Sequence, residues 1–134
     1  GSSSMKKFEN FCKALANLHE IHRYEPPYTD PIIVAGMTAL YTICFEQAWR
    51  AMKEYLAEEG WAEAESGSPR QIIKTAYQAG VITDEEGWLQ ALVARNLQSH
   101  TYNEKVAQQL IEDTKACFLP LFNALREELA RRGE

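Results

Sequence analysis

The sequence predicts an all-α fold, an up-and-down bundle of four main helices with one additional short helix. Three observations lead there. Apolar residues recur at 3.6-residue spacing through most of the chain, no β-branched run alternates as a half-buried strand would, and glycines and prolines punctuate the periodic segments. At 134 residues and 46% hydrophobic content, the chain is long enough for one core.

The elements follow in order. A first helix is expected from about Met5 to His22, with Phe8, Phe11, Cys12, Leu15, Leu18 and Ile21 or His22 on one stripe. Pro26-Pro27 forces a loop. Asp30-Pro31 then reads as an acidic N-cap with proline at the first helical position. The long helix it opens carries Met37, Leu40, Tyr41, Cys44, Phe45, Ala48, Trp49, Met52 and Leu56 inward until Gly60 stops it. After a small, polar connector from Trp61 to Ser68, Ser68-Pro69 restarts helix with Ile72, Ile73, Ala76 and Tyr77 inward, ended by Gly80. Thr83 to Glu86 reads as a capping box for a helix carrying Trp88, Leu89, Leu92 and Val93. Thr101 with Glu104 is a second capping box, so this helix is expected to break near His100. A last helix runs from about Tyr102 to Ala130, kinked at Pro120.

Composition excludes several classes. With 14 Lys and Arg against 19 Asp and Glu, the net charge of -5 disfavours a long basic face for nucleic acid, leaving only a local pocket for phosphate. The longest apolar runs stop well short of the ~20 residues that span a bilayer, so no membrane partner is expected and the location is read as cytoplasmic. Gly1 to Ser4 before Met5 read as a cloning remnant, and 5-132 as one helical domain. Cys12, Cys44 and Cys117 are far apart and read as small buried hydrophobes. His19 and His22 lack a third metal ligand at suitable spacing, Glu46 and Arg50 read as an ordinary helical pair, and Glu127, Glu128, Arg131 and Arg132 as a solvated helix end. No metal or cofactor is expected.

One stretch places a permanent cation, a titratable base and a phenol within eight residues: Arg95, His100 and Tyr102. On a continuous helix, Arg95 and Tyr102 share a face while His100 lies about 140° away from Arg95. Convergence therefore needs either a helix break before His100 or two copies that share a cleft. The chemistry suited to these groups is phosphoryl transfer from RNA, with Arg95 on the phosphate and His100 moving a proton. No acid lies between Glu86 and Glu104, so Arg95 has no local partner, and Arg70 and Lys74 are candidate phosphate contacts in another acid-free stretch.

Arg95-Asn96-Leu97-Gln98-Ser99-His100-Thr101-Tyr102 resembles the Arg-x4-His-x-Tyr signature of the HEPN superfamily. More narrowly, it resembles the nucleotidyltransferase substrate-binding branch related to HepT toxins. Phe45-Glu46 with Trp49, Ser68-Pro69-Arg70, Ala79-Gly80-Val81-Ile82, Trp88 and Leu119-Pro120-Leu121-Phe122 match that branch in order. The resemblance implies a homodimer with the signature at its interface, paired with a cognate minimal nucleotidyltransferase as antitoxin. It further implies a metal-independent ribonuclease acting on tRNA or mRNA through Arg95 and His100, with Asn96 supporting and Tyr102 accepting AMP. The rival reading is a non-catalytic nucleotide- or substrate-binding subunit of a transferase complex. A third is a helical dimerisation module without a small ligand. Gly67-Ser68 is the only Gly-Ser beyond the N-terminal remnant and no Asp-x-Asp follows it, so the chain is not read as a transferase itself.

Overall fold

Asp30 starts the longest helix: its carboxylate accepts the Ile32 amide at 2.9 Å and Pro31 takes the first helical position. The resulting α2 (Pro31–Glu58) ends before Gly60, whose φ of +92° is the left-handed conformation that glycine adopts without a Cβ clash. The structure, a computed structural model, describes residues 6-65, 67-100 and 103-132, with the side chains of 98-100 outside the description. It comprises α1 (Lys6–Leu18), α2, α3 (Pro69–Gln78), α4 (Glu85–His100), α5 (Glu104–Asp113) and α6 (Leu119–Arg132), with no strand among the described residues. α5 and α6 are joined through a π turn at Thr114–Phe118, so the last rod of the bundle is one helix with a wide turn inside it. The expected helical bundle is therefore what the chain forms.

α2 contacts every other helix and is the axis of the domain. By length and hydropathy it would be able to cross a membrane, which corrects the expectation that no segment qualifies. Its unbroken apolar runs are short, but apolar residues recur along its 28 residues often enough to raise the hydropathy of the whole helix. Val34, Met37, Tyr41, Cys44, Phe45, Ala48, Met52 and Leu56 are buried. Around Tyr41 and Phe45 lies a cluster of rings: Trp88 to Phe122 at 5.3 Å between centroids, Tyr41 to Phe118 at 5.4 Å and Phe45 to Trp88 at 6.2 Å. Such pairs add about 0.5–1.5 kcal/mol beyond the area they bury. They anchor α4 against α2 and α6 through Trp88, which has 1% of its surface exposed.

Local expectations are corrected at several points. The first helix tightens into a 3-10 turn at His19–Arg23 instead of continuing as α-helix to His22. Asp84, not Thr83, caps α4, accepting the Gly87 amide at 2.9 Å. A Cβ on residue 87 would lie 2.5 Å from the Asp84 carboxylate, so the glycine makes room for its own cap. Asn103 caps α5, accepting the amides of Lys105 and Val106 at 2.9 and 3.3 Å, while Thr101 lies outside the described residues. Tyr77 and Val93 face outward, each 49% exposed, because among the described residues no element covers that edge of the α3 and α4 arcs; Thr75 and Ala91 are buried instead. Cys117 is exposed and Cys12 half-buried, leaving Cys44 alone as the buried thiol expected of all three. The helix end at Glu128 and Arg132 is not merely solvated. Arg132 donates to the Tyr55 hydroxyl at 3.0 Å and the Gly80 carbonyl at 3.2 Å, and it pairs with Glu128, tying α6 to α2 and to the turn before α4.

Candidate functional site

α4 presents Arg95 on the side that faces α2. Its Nε lies 2.8 Å from Oε1 of Glu46, a charge contact in which the N–H is not aligned on the oxygen. The guanidinium sits 5.8 Å over the Phe45 ring, and its Nη1 donates to Asn96 Oδ1 at 3.1 Å. Glu46 is the hub. Its Oε2 accepts from Trp49 Nε1 at 3.2 Å and stands 3.8 Å from Arg50. The Glu46–Arg50 pair expected from spacing is thus the loosest of three contacts, and Arg95, with no acid on its own helix nearby, draws one from α2. Arg95 has no acidic partner within helical reach on α4, as expected, and its partner comes from across the bundle. The sequence signal for Glu46 was present but unused: a carboxylate inside the apolar Phe45 to Trp49 stretch needs a cation or donor nearby.

Beneath this cluster the core is neutral and closed. Tyr41 donates its hydroxyl to the Ala91 carbonyl at 2.5 Å, one turn before Arg95 on α4. Burial pushes the Tyr41 phenol well above the usual tyrosine range, and the Cys44 thiol one turn along α2 is pushed up for the same reason. Neither group supplies a nucleophile near neutral pH.

Of the other sequence candidates, His100 is the last residue of α4. The backbone is helical through it, so the break falls after His100 and not before it. Its side chain, and all of Tyr102, lie outside the described residues. Asn96 is joined to Arg95. Arg70 and Lys74 are exposed on α3, which packs on α4, and share no hydrogen bond or ion pair with Arg95 among the described residues. His19 is tied to Asn123 at 2.9 Å, and no group of three metal-ligating side chains occurs among the described residues. On the side of α4 away from Arg95, Leu97 is 53% exposed, and Ala94, Leu97, Val106 and Leu110 with Gln109 and Asp113 line a groove of about 190 Å³.

A family model for nucleotidyltransferase substrate binding protein like sequences matches residues 6–131. The chain belongs to this HepT-like family. A relative from Haemophilus influenzae, described as a probable ribonuclease HepT, is 25% identical over 115 residues, covering 82% of this chain and 76% of its own. A crystal structure of a Thermus thermophilus protein superposes with a TM-score of 0.71 at 30% identity, covering 91% of this chain and 97% of that one. Family membership spans the whole bundle, so the Glu46–Arg95 contact between α2 and α4 lies within the matched region.

Proposed function

We propose that this HepT-like chain is the toxin of a pair with a minimal nucleotidyltransferase, a homodimeric, metal-independent ribonuclease that uses Arg95 and His100 and is silenced by AMP transfer to Tyr102. The observation that carries it is Arg95 itself. Its guanidinium is gripped from behind by Glu46, its side chain is 22% exposed, and it stands in an intact signature. An acidic chain that exposes a fixed planar cation has a place for one phosphate.

The helical course of α4 through His100 supports the two-copy arrangement. Within one chain, positions 95 and 100 are about 140° apart around the helix axis. Two copies that share a cleft bring one copy's Arg95 toward the other's His100, and the exposed Val93 and Leu97 lie on the His100 side of α4. In such a cleft the 2'-oxygen of a nucleotide attacks the adjacent phosphorus and the bond to the 5'-oxygen breaks, leaving a cyclic phosphate and a 5'-hydroxyl. One proton leaves the 2'-hydroxyl and one reaches the departing oxygen; His100 is the group that carries it. Arg95 balances the added negative charge on the phosphate. AMP on Tyr102, two residues beyond His100, adds a second phosphate and a nucleoside where the RNA must lie.

A second reading is favoured by the same contact: Glu46 already neutralises part of the Arg95 charge, as suits a phosphate-holding subunit that does no chemistry. One experiment separates the two. The chain is purified alone and after co-expression with the neighbouring transferase, then assayed for cleavage of tRNA and mRNA and for intact mass. The ribonuclease reading expects cleavage by the chain alone, its loss in Arg95→Ala and His100→Ala, and AMP adducts absent from Tyr102→Phe. Uncut RNA, with Arg95→Ala lowering only the transferase activity, overturns it in favour of the binding subunit.

A further inference from the structure

The Glu46 carboxylate is also the edge of a second feature. Behind it, α2 continues with Trp49, Arg50, Lys53 and Ala57, and these residues form one wall of a groove of about 640 Å³ that α1 closes with Lys7 and the α2–α3 connector with Ala64 and Glu65. Positions 46, 50, 53 and 57 fall on one stripe of the helix, so the cations lead directly away from Arg95 over about 10 Å. Nothing in the ribonuclease chemistry uses them.

The groove has the parts of a single-strand subsite. Trp49 is half-buried, and its ring is held in plane because its Nε1 is tied to Glu46. Arg50 lays its guanidinium 5.8 Å from that ring, offering a second flat surface. Ala57 is exposed and puts no bulk into the groove, while Ala64 is buried behind it. Three cations, Lys7, Arg50 and Lys53, stand against Glu54 and Glu65 in the groove and Glu46 at its edge; Glu54 is engaged by the Lys7 backbone amide at 3.3 Å and Glu46 by Arg95 at 2.8 Å. Charge is balanced over the groove, with Lys53 in no ion pair among the described residues, which fits one phosphate and one base and not a duplex backbone.

We propose that this groove binds the nucleotide of single-stranded RNA adjacent to the one whose phosphate Arg95 holds, with its phosphate on Arg50 and Lys53 and its base against the Trp49 wall. The inference rests on the ribonuclease reading and adds the path of the strand to it. Glu46 is then the seam between two subsites, touching Arg95 on one side and Arg50 on the other.

The test measures binding of a single-stranded 2'-O-methyl RNA oligonucleotide, which lacks the attacking hydroxyl, over a range of salt, together with cleavage of the unmodified strand. The full chain carrying both Arg50→Ala and Lys53→Glu is compared with wild type and with Lys13→Ala, an exposed cation on another face of α1. Helix content by circular dichroism confirms folding. The double variant is expected to bind about tenfold or more weakly with a shallower salt slope, and to cleave with raised KM and nearly unchanged kcat, while Lys13→Ala matches wild type. If the double variant binds and cleaves as wild type does, the groove is not on the RNA path and the ribonuclease reading stands without it. If wild type neither binds nor cleaves RNA, both fall together.

Discussion

Tyr41 of α2 donates its hydroxyl to the main-chain carbonyl of Ala91 in α4 at 2.5 Å, inside the core. In helical register that carbonyl is the one facing the Arg95 amide, so α2 grips α4 through the backbone turn that bears the signature arginine.

Removing that grip leaves the hydroxyl's space empty but the ring in place. Tyr41→Phe is expected to lower stability by about 1–2 kcal/mol in urea unfolding followed by circular dichroism. The same residue shapes the alkaline limb. Because burial raises the folded-state pKa of Tyr41 and Cys44, both keep their protons in the native chain while the unfolded chain loses them. Their contribution is full below the unfolded values of about 8.5–10 and declines as pH rises beyond them. Stability measured from pH 8 to 11 should fall, and less steeply in Tyr41→Phe.

Glu46 fixes the direction of Arg95 more than its charge. Glu46→Gln retains an acceptor for Trp49 and removes the ion pair. If the chain cleaves RNA, kcat should drop by about tenfold with KM unchanged or lower, since an unheld but fully cationic guanidinium binds phosphate without positioning it. An increase in KM with kcat intact would contradict this.

The acid limb belongs to Glu128. Hydrogen bonds from Arg131 and Arg132 hold its carboxyl down at about 2. The folded value lies below the unfolded one, so the stabilisation is present above about pH 4.3 and is lost as pH falls toward 2. Glu128→Gln should flatten the pH dependence in that window. Arg132→Ala, which also loses the Tyr55 and Gly80 contacts, should cost about 1–2 kcal/mol at neutral pH.

Asn103 caps α5 immediately after the signature. Asn103→Ala should cost about 1 kcal/mol, whereas Thr101→Ala should cost little if Asn103 is the working cap. Equal losses from the two, by thermal unfolding, would refute that assignment.

The sequence was legible where chemistry is local. Asp30-Pro31 and Ser68-Pro69 start helices, and Gly60 and Gly80 stop them, because caps and left-handed glycines act within a few residues. Thr83 misled because Asp84, one position nearer the helix, is the stronger acceptor and has a glycine opposite it. Tyr77 and Val93 misled because periodicity defines an arc, while neighbouring elements decide how much of the arc is covered. Arg95 was legible as a candidate from its acid-free surroundings, but its partner comes from α2, and pairing across the bundle leaves no trace in local spacing. Arg50 was legible only as the helical partner of Glu46, and Lys53 not at all, because the groove they share with Lys7 of α1 leaves no mark in local spacing.

The π turn at Thr114–Phe118 acts as a phase shifter. A turn of about 4.4 residues instead of 3.6 sets everything after it back by roughly one position, or about 100° around the axis. Thr114 and the neighbouring Phe118 and Leu119 are all buried at this wide point, and the Phe122, Leu125 and Leu129 face follows from it. Deleting a single exposed residue there, such as Ala116, would therefore let the rod relax into uninterrupted α-helix with its C-terminal half still in phase, keeping Phe122 in the aromatic cluster and Arg132 on Tyr55 and Gly80. The same deletion in the regular turns of α6 would rotate everything beyond it by about 100° and break those contacts. The wide turn is thus the one place in this helix where a residue can be lost without changing which face meets the core.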